Sequence, residues 1–72
     1  MPDIETTIVQ TCLRGLSELL LEAASLAKAA AGCAEDGNRN GAVGIALEVE
    51  PLLAEAGTLL NAASLIHRKH RP

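Results

Sequence analysis

Two histidines within a run of basic residues near the C-terminus are the residues of this sequence with the clearest capacity for chemistry. His67 and His70 lie one helical turn apart, a spacing at which two imidazoles can bind one metal ion. The chain offers no third ligand at a fixed spacing, and the flanking Arg68, Lys69 and Arg71 would repel a cation. We therefore predict no metal site and no cofactor.

The same basic run could contact an anion, such as a phosphate, a nucleic-acid backbone or an acidic partner surface. The candidate contacts are Arg39, His67, Arg68, Lys69, His70 and Arg71. Cations at a helix C-terminus also stabilise the helix macrodipole by about 0.3–1 kcal/mol each, which explains the run without a ligand. Because the net charge is −3, binding of nucleic acid or a phosphate ligand is the alternative hypothesis and not the leading one.

The remaining reactive residues form no catalytic pattern. Cys12 and Cys33 occupy apolar positions, where a thiol behaves as a small hydrophobe, and one helix would hold them about 30 Å apart, too far for a disulfide. No Ser-His-Asp spacing is present, and the glycines after Gly37 lack the Gly-Lys-Ser/Thr of a phosphate-binding loop. We predict a non-enzyme. Two cysteines, no recognisable signal peptide and no uncharged run of membrane-spanning length predict a cytoplasmic protein.

Two long periodic segments must position these residues, and one polar, glycine-containing stretch separates them. The stretch is Glu-Asp-Gly-Asn-Arg-Asn-Gly, residues 35–41, which carries the strongest turn signals of the chain. We predict a single domain, residues 1–72, with a helix over about 3–34, a loop over about 35–40 and a helix over about 41–69. Asp3 and Asn40 are the expected N-caps. Helices of similar length joined by a short loop pack as an antiparallel hairpin.

Both segments carry apolar residues at alternating steps of three and four, the a and d positions of a heptad. This seam comprises Val9, Cys12, Leu16, Leu19, Ala23, Leu26, Ala30 and Cys33 in the first segment, and Ala42, Ile45, Val49, Leu52, Ala56, Leu59, Ala63 and Ile66 in the second. A second row at the e positions comprises Leu13, Leu20, Ala27 and Ala34, then Ala46, Leu53 and Leu60. The two rows together match the wide apolar stripe of a bundle helix.

Alanine fills many a positions of the seam and larger residues fill most d positions, so small and large side chains alternate. This pattern resembles the core of the plasmid-encoded Rop proteins over most of the chain. The resemblance implies a helical hairpin that dimerises into a four-helix bundle. Rop proteins bind paired RNA loops with the help of an aromatic residue, and because this chain has no aromatic residue we do not expect that activity here.

A lone hairpin buries one narrow seam, and leaving the second row in water forfeits about 1.5–3 kcal/mol for each leucine-sized side chain. We therefore predict an all-α fold, an antiparallel helical hairpin that forms a homodimeric four-helix bundle and acts as a small interaction or regulatory protein. Its partners would be a second copy and another protein. The predicted dimer core comprises Leu16, Leu19, Leu20, Ala23, Leu26, Val49, Leu52, Leu53, Ala56, Leu59, Leu60 and Ala63.

Pro51 is the main irregularity of the pattern, because proline cannot donate to the helix ladder and clashes with the carbonyl four residues earlier. The seam keeps its register across Pro51, which favours a continuous helix with a kink. The alternative is a strand over residues 43–49, where apolar residues alternate, before a helix that begins near Pro51.

Overall fold

The structure is a computed structural model that describes residues 3–69, and this part of the chain is helical with no strand. Helix α1 is Ile4–Glu35, α2 is Arg39–Leu47 and α3 is Val49–Lys69. The predicted all-α class is confirmed. Helices α2 and α3 together form a second arm that packs along α1, consistent with a helical hairpin. Within residues 3–69, no helix combines the length and the hydropathy that crossing a membrane requires.

Helix α1 begins where the sequence predicts, because Asp3 caps it. The Asp3 side chain accepts a hydrogen bond of 2.7 Å from the Thr6 backbone N–H, one of the amides that a helix start leaves without a partner. The Thr7 hydroxyl donates to the Asp3 carbonyl in the same turn. The capped turn fixes the N-terminal end of the longest element of the fold.

The connection between the two arms is shorter than predicted. The Gly37 N–H donates to the Ala34 carbonyl and the Asn38 N–H to the Cys33 carbonyl, the bonding pattern of a Schellman motif. That motif needs a left-handed residue, and Gly37 supplies it with φ 86°. Asn38 then caps α2 through a 2.9 Å bond from the Gly41 N–H to its side chain.

Two boundaries from the sequence are therefore wrong. The N-cap of the second arm is Asn38, not Asn40, and Arg39 belongs to the first turn of α2 instead of the loop. The sequence offered two asparagines before the apolar row, and residue type alone did not distinguish them. The Schellman motif does, because it makes Asn38 both the last residue of the turn and the first cap of the next helix.

The second arm bends at Glu48, three residues before Pro51. The Glu48 N–H donates to the Ile45 carbonyl, a tighter bond than the helical pattern. Pro51 lies in the first turn of α3, where a missing N–H costs no helical hydrogen bond. The arm predicted as one kinked helix is thus divided at Glu48, and the strand predicted as the alternative for residues 43–49 is wrong, because helix covers residues 39–47.

Burial follows the predicted seam throughout. Every seam residue from Val9 to Ile66 is buried or half-buried, and the second row is exposed. The seam keeps its register across the bend at Glu48, since Ile45, Val49 and Leu52 all stay half-buried.

The two arms approach closely and in opposite directions. A Cβ placed on Gly15 would lie 3.0 Å from Cδ1 of Leu59, so residues in the first half of α1 meet residues in the middle of α3. This contact gives the antiparallel register of the two arms. A seam residue of α1 lies level with the seam residue of the second arm for which the two residue numbers add up to 75, as for Leu16 and Leu59. Ala23 then faces Leu52, so a small residue opposes a large one across the seam.

Candidate self-association face

The deepest positions of the hairpin are all alanines. Among residues 3–69, the side chains classed as buried are Ala23, Ala30, Ala42, Ala56 and Ala63, and every one is an a position of the seam. No leucine, isoleucine or valine of this part of the chain is buried. A core made of five methyl groups stabilises little, since a buried Leu-sized side chain contributes about 1.5–3 kcal/mol and alanine much less.

The hairpin also exposes more surface than a folded monomer of its size. Its accessible surface is 5496 Å², whereas a compact monomer of 7.4 kDa exposes about 4,200 Å². Its radius of gyration is 16.5 Å, against about 11 Å for a compact chain of this length. The molecule is a rod 54 Å long and 14–19 Å wide. The single hairpin is therefore one layer of helices without a second layer to cover it.

The exposed leucines of the second row lie on one side of this rod. Viewed from the N-terminus of each helix, the e positions lie on the same side of the a and d positions. Because the two arms run antiparallel, their e rows therefore lie on the same side of the hairpin. Leu13 and Leu20 of α1 thus neighbour Leu60 and Leu53 of α3. These four side chains are 45–53% exposed, so each leaves about half of its surface in water.

Small residues border this row. The b positions, which also point to this side of the hairpin, are Gln10, Ser17, Ala24 and Ala31 in α1, and Val43, Glu50, Gly57 and Ser64 in the second arm. Five of these eight residues are alanine, serine or glycine, so another surface can come close to the leucines. We call the second row and these b positions together the apolar face.

The opposite side of the hairpin has a different character. Its g and c positions carry four exposed carboxylates, Glu18, Glu22, Glu48 and Glu55. By the same register, Glu22 lies across from Glu55. We call this side the acidic face. Glu50 is the one acidic residue of the b positions on the apolar face, so the two sides differ in both charge and hydrophobicity.

Two open grooves of about 350–360 Å³ lie on the apolar side. The first runs along α1 and is lined by Leu13, Leu16, Ser17, Leu20 and Leu21. The second lies near the turn and is lined by Ala34, Gly37, Arg39, Ala42 and Val43. Apolar side chains dominate both linings, and neither groove contains a paired acid and base that could catalyse a reaction.

The predicted anion contacts do not form one surface. Arg39 is exposed at the turn end of the rod, whereas His67, Arg68 and Lys69 are exposed at the other end. His70 and Arg71 lie outside the described residues. Among residues 3–69, no three histidine, cysteine or acidic side chains come together as a metal site would require. Cys12 and Cys33 are free thiols, half-buried in the seam.

Comparison with known proteins adds no relative. No model of a protein family, no curated protein and no solved structure matches the chain. The apolar face itself follows from the sequence, because the second row is visible there. The contrast with the acidic face is also encoded in the sequence, but it emerges only when the g and c positions of the two arms are read together as one side.

Proposed function

We propose that this chain is a small, non-enzymatic interaction protein whose working form is a homodimer. Two hairpins join through their apolar faces into a four-helix bundle. The observation that supports this proposal is the set of four half-exposed leucines beside a seam whose only buried side chains, within residues 3–69, are alanines.

The size of the face fits a stable dimer. The chain exposes about 1,300 Å² more than a compact monomer of its mass. A typical specific interface buries about 800 Å² per partner, so the excess is large enough. Covering the remaining half of each leucine would contribute about 1 kcal/mol, or about 8 kcal/mol for the eight leucines of a dimer. That amount is comparable with the 4–15 kcal/mol that association costs in lost freedom of motion, so side chains beyond these leucines must contribute too.

Charge favours the apolar face over the acidic face as the place where two copies meet. Pairing through the acidic faces would bring eight carboxylates together, and like charges on facing helices are destabilising. Pairing through the apolar faces keeps these carboxylates on the outside of the bundle, in water. The acidic surface would then be available to a further protein partner.

The direct test is the mass of the protein in solution as a function of concentration. Sedimentation velocity from about 1 to 100 μM should report a mean mass that rises to twice the chain mass at the upper concentrations, as expected for a dissociation constant near 1 μM, which is a net association free energy of about 8 kcal/mol. The thermal unfolding midpoint should also rise with protein concentration, as it does when association stabilises the folded state. A monomer at every concentration, with a concentration-independent midpoint, would contradict the proposal.

A further inference from the structure

We infer that the two copies pair with their turns at opposite ends of the bundle, so that the two-fold axis crosses the rod near Ala24. This inference rests on the proposed dimer and adds its orientation. It comes from an uneven distribution of side-chain sizes along the apolar face.

The second row has a leucine half and an alanine half. Leu13, Leu20, Leu53 and Leu60 occupy the half nearer the chain termini, and Ala27, Ala34 and Ala46 occupy the half nearer the turn. Open grooves of similar volume lie in both halves, one beside Leu13 and Leu20 and one beside Ala34 and Val43, so the two halves differ in the length of the side chains in the row. One end of the face is therefore raised and the other recessed.

Two orientations of a symmetric pair are possible. If both turns lie at the same end, α1 of one copy faces α3 of the other, and the leucine halves meet while the alanine halves also meet. If the turns lie at opposite ends, α1 faces α1 of the partner and the second arm faces the second arm. Only the second orientation places raised halves on recessed halves, and well-packed interfaces require such filling of small by large.

The spacing of the row matches the second orientation. Its α1 positions, 13, 20, 27 and 34, are symmetric about a point between residues 23 and 24. A two-fold axis there pairs Leu20 with the partner's Ala27 and Leu13 with the partner's Ala34. By the register of the hairpin, the same axis crosses the second arm between residues 51 and 52. Leu53 is then level with the partner's Glu50, and Leu60 is level with the partner's Val43 at the turn-end groove.

One contact of this arrangement is unfavourable. Because the axis crosses the second arm between residues 51 and 52, the two copies of Glu50 lie about 4.5 Å apart along the rod, at the rim of the interface. Both carboxylates are exposed, and repulsion of this kind costs a few tenths of a kcal/mol on helix surfaces. We therefore expect Glu50→Gln to tighten the dimer about twofold, an effect the same-end orientation would not produce, because Glu50 then faces α1 of the partner.

Cross-linking of two matched variants tests the orientation. Ala24→Cys and Ala31→Cys are both exposed b positions of α1, one heptad apart. They are made in a Cys12→Ala, Cys33→Ala background whose helicity and mass match the natural chain, with valine at both sites as the second background if alanine lowers either. With turns at opposite ends, two copies of residue 24 lie about 1.5 Å apart along the rod, and two copies of residue 31 about 22 Å apart.

A short bis-maleimide should therefore link Ala24→Cys at least tenfold more efficiently than Ala31→Cys. With turns at the same end, both residues lie level with their own copies, and the two variants should link equally. A spin label at Asp36→Cys in the turn gives a second measurement: two labels should be about 38 Å apart along the rod in our orientation, and close to level with each other otherwise.

The outcomes separate the two proposals. A monomeric mass for the natural chain overturns the dimer and the orientation together. A dimeric mass with equal cross-linking, or with a short distance between turn labels, overturns the orientation alone. A dimer with selective linking at residue 24 and a long turn-to-turn distance supports both.

Discussion

Replacement of Leu20 by glutamate should dissociate the dimer, whereas the same replacement of Leu21 should not. The two leucines are neighbours on α1. Leu20 belongs to the apolar face and is 45% exposed, while Leu21 points away from the seam and is 69% exposed. Glutamate forms helices about as well as leucine, so helix propensity changes little at either site. The pair therefore isolates the contribution of the face.

The expected magnitude follows from the burial of Leu20. Each Leu20→Glu side chain removes about 1 kcal/mol of leucine burial from the dimer. It also withdraws a carboxylate from water, which costs at least a further 1 kcal/mol even at a partly wet interface. With two sites per dimer the loss is about 4 kcal/mol, or a dissociation constant about a thousandfold higher. Leu21→Glu should raise it less than threefold.

Sedimentation velocity of both variants over the same concentrations measures the two constants. Far-ultraviolet circular dichroism should show a helical chain for Leu21→Glu, whereas Leu20→Glu should lose helix as it dissociates, because the alanine core of a single hairpin stabilises little. Equal dissociation constants for Leu20→Glu and Leu21→Glu would refute the assignment of the apolar face. A dimer weakened by Leu21→Glu alone would mean that the copies meet on the outer surface of α1.

Further predictions concern the turn, a glycine within α1 and the basic end of the rod, with stability measured by urea unfolding at one fixed protein concentration. Gly37→Ala should destabilise the fold by about 1–2 kcal/mol, because its φ of 86° is costly for a residue with a Cβ; an unchanged midpoint would count against the turn geometry. Asn38→Ala should cost about 1 kcal/mol through loss of the cap on α2, and Asn38→Asp should retain the stability. Gly32→Ala should stabilise α1 by about 0.5–1 kcal/mol, because a Cβ there meets open space. If the chain bound nucleic acid through its basic end, Arg68→Gln with Lys69→Gln would lower the salt dependence of binding to a duplex by about two units of slope; we expect weak binding that these substitutions leave unchanged.

The sequence predicted the hairpin well because the seam is a repeated signal. Sixteen seam positions recur with one period, so the bend at Glu48 does not obscure the row. Asp3 was predictable as a cap for a local reason, since an acidic residue directly precedes the first apolar one. These features depend on residue type and spacing alone, which a sequence displays in full.

The boundaries near the turn were not predictable in the same way. Asn38 and Asn40 are the same residue type, and the choice between them depends on which backbone carbonyls of α1 accept hydrogen bonds from the turn. The bend is a similar case. Pro51 indicates that the helix is interrupted, but the interruption lies at Glu48. The carbonyl with which the proline ring would clash belongs to Leu47, and α2 ends at that residue.

The alanines of the seam explain both why the hairpin forms and why it looks incomplete. Small a residues let the arms approach closely, as the contact between Gly15 and Leu59 illustrates. Close arms leave no interior between them that is wide enough to bury a leucine fully, and the larger d residues remain half-buried. Larger a residues would widen the seam and bury more within one copy, but they would also spread the two leucine rows apart. The alanines therefore keep Leu13 and Leu20 beside Leu60 and Leu53 as one narrow face, and a second copy of the chain carries a face of the same width.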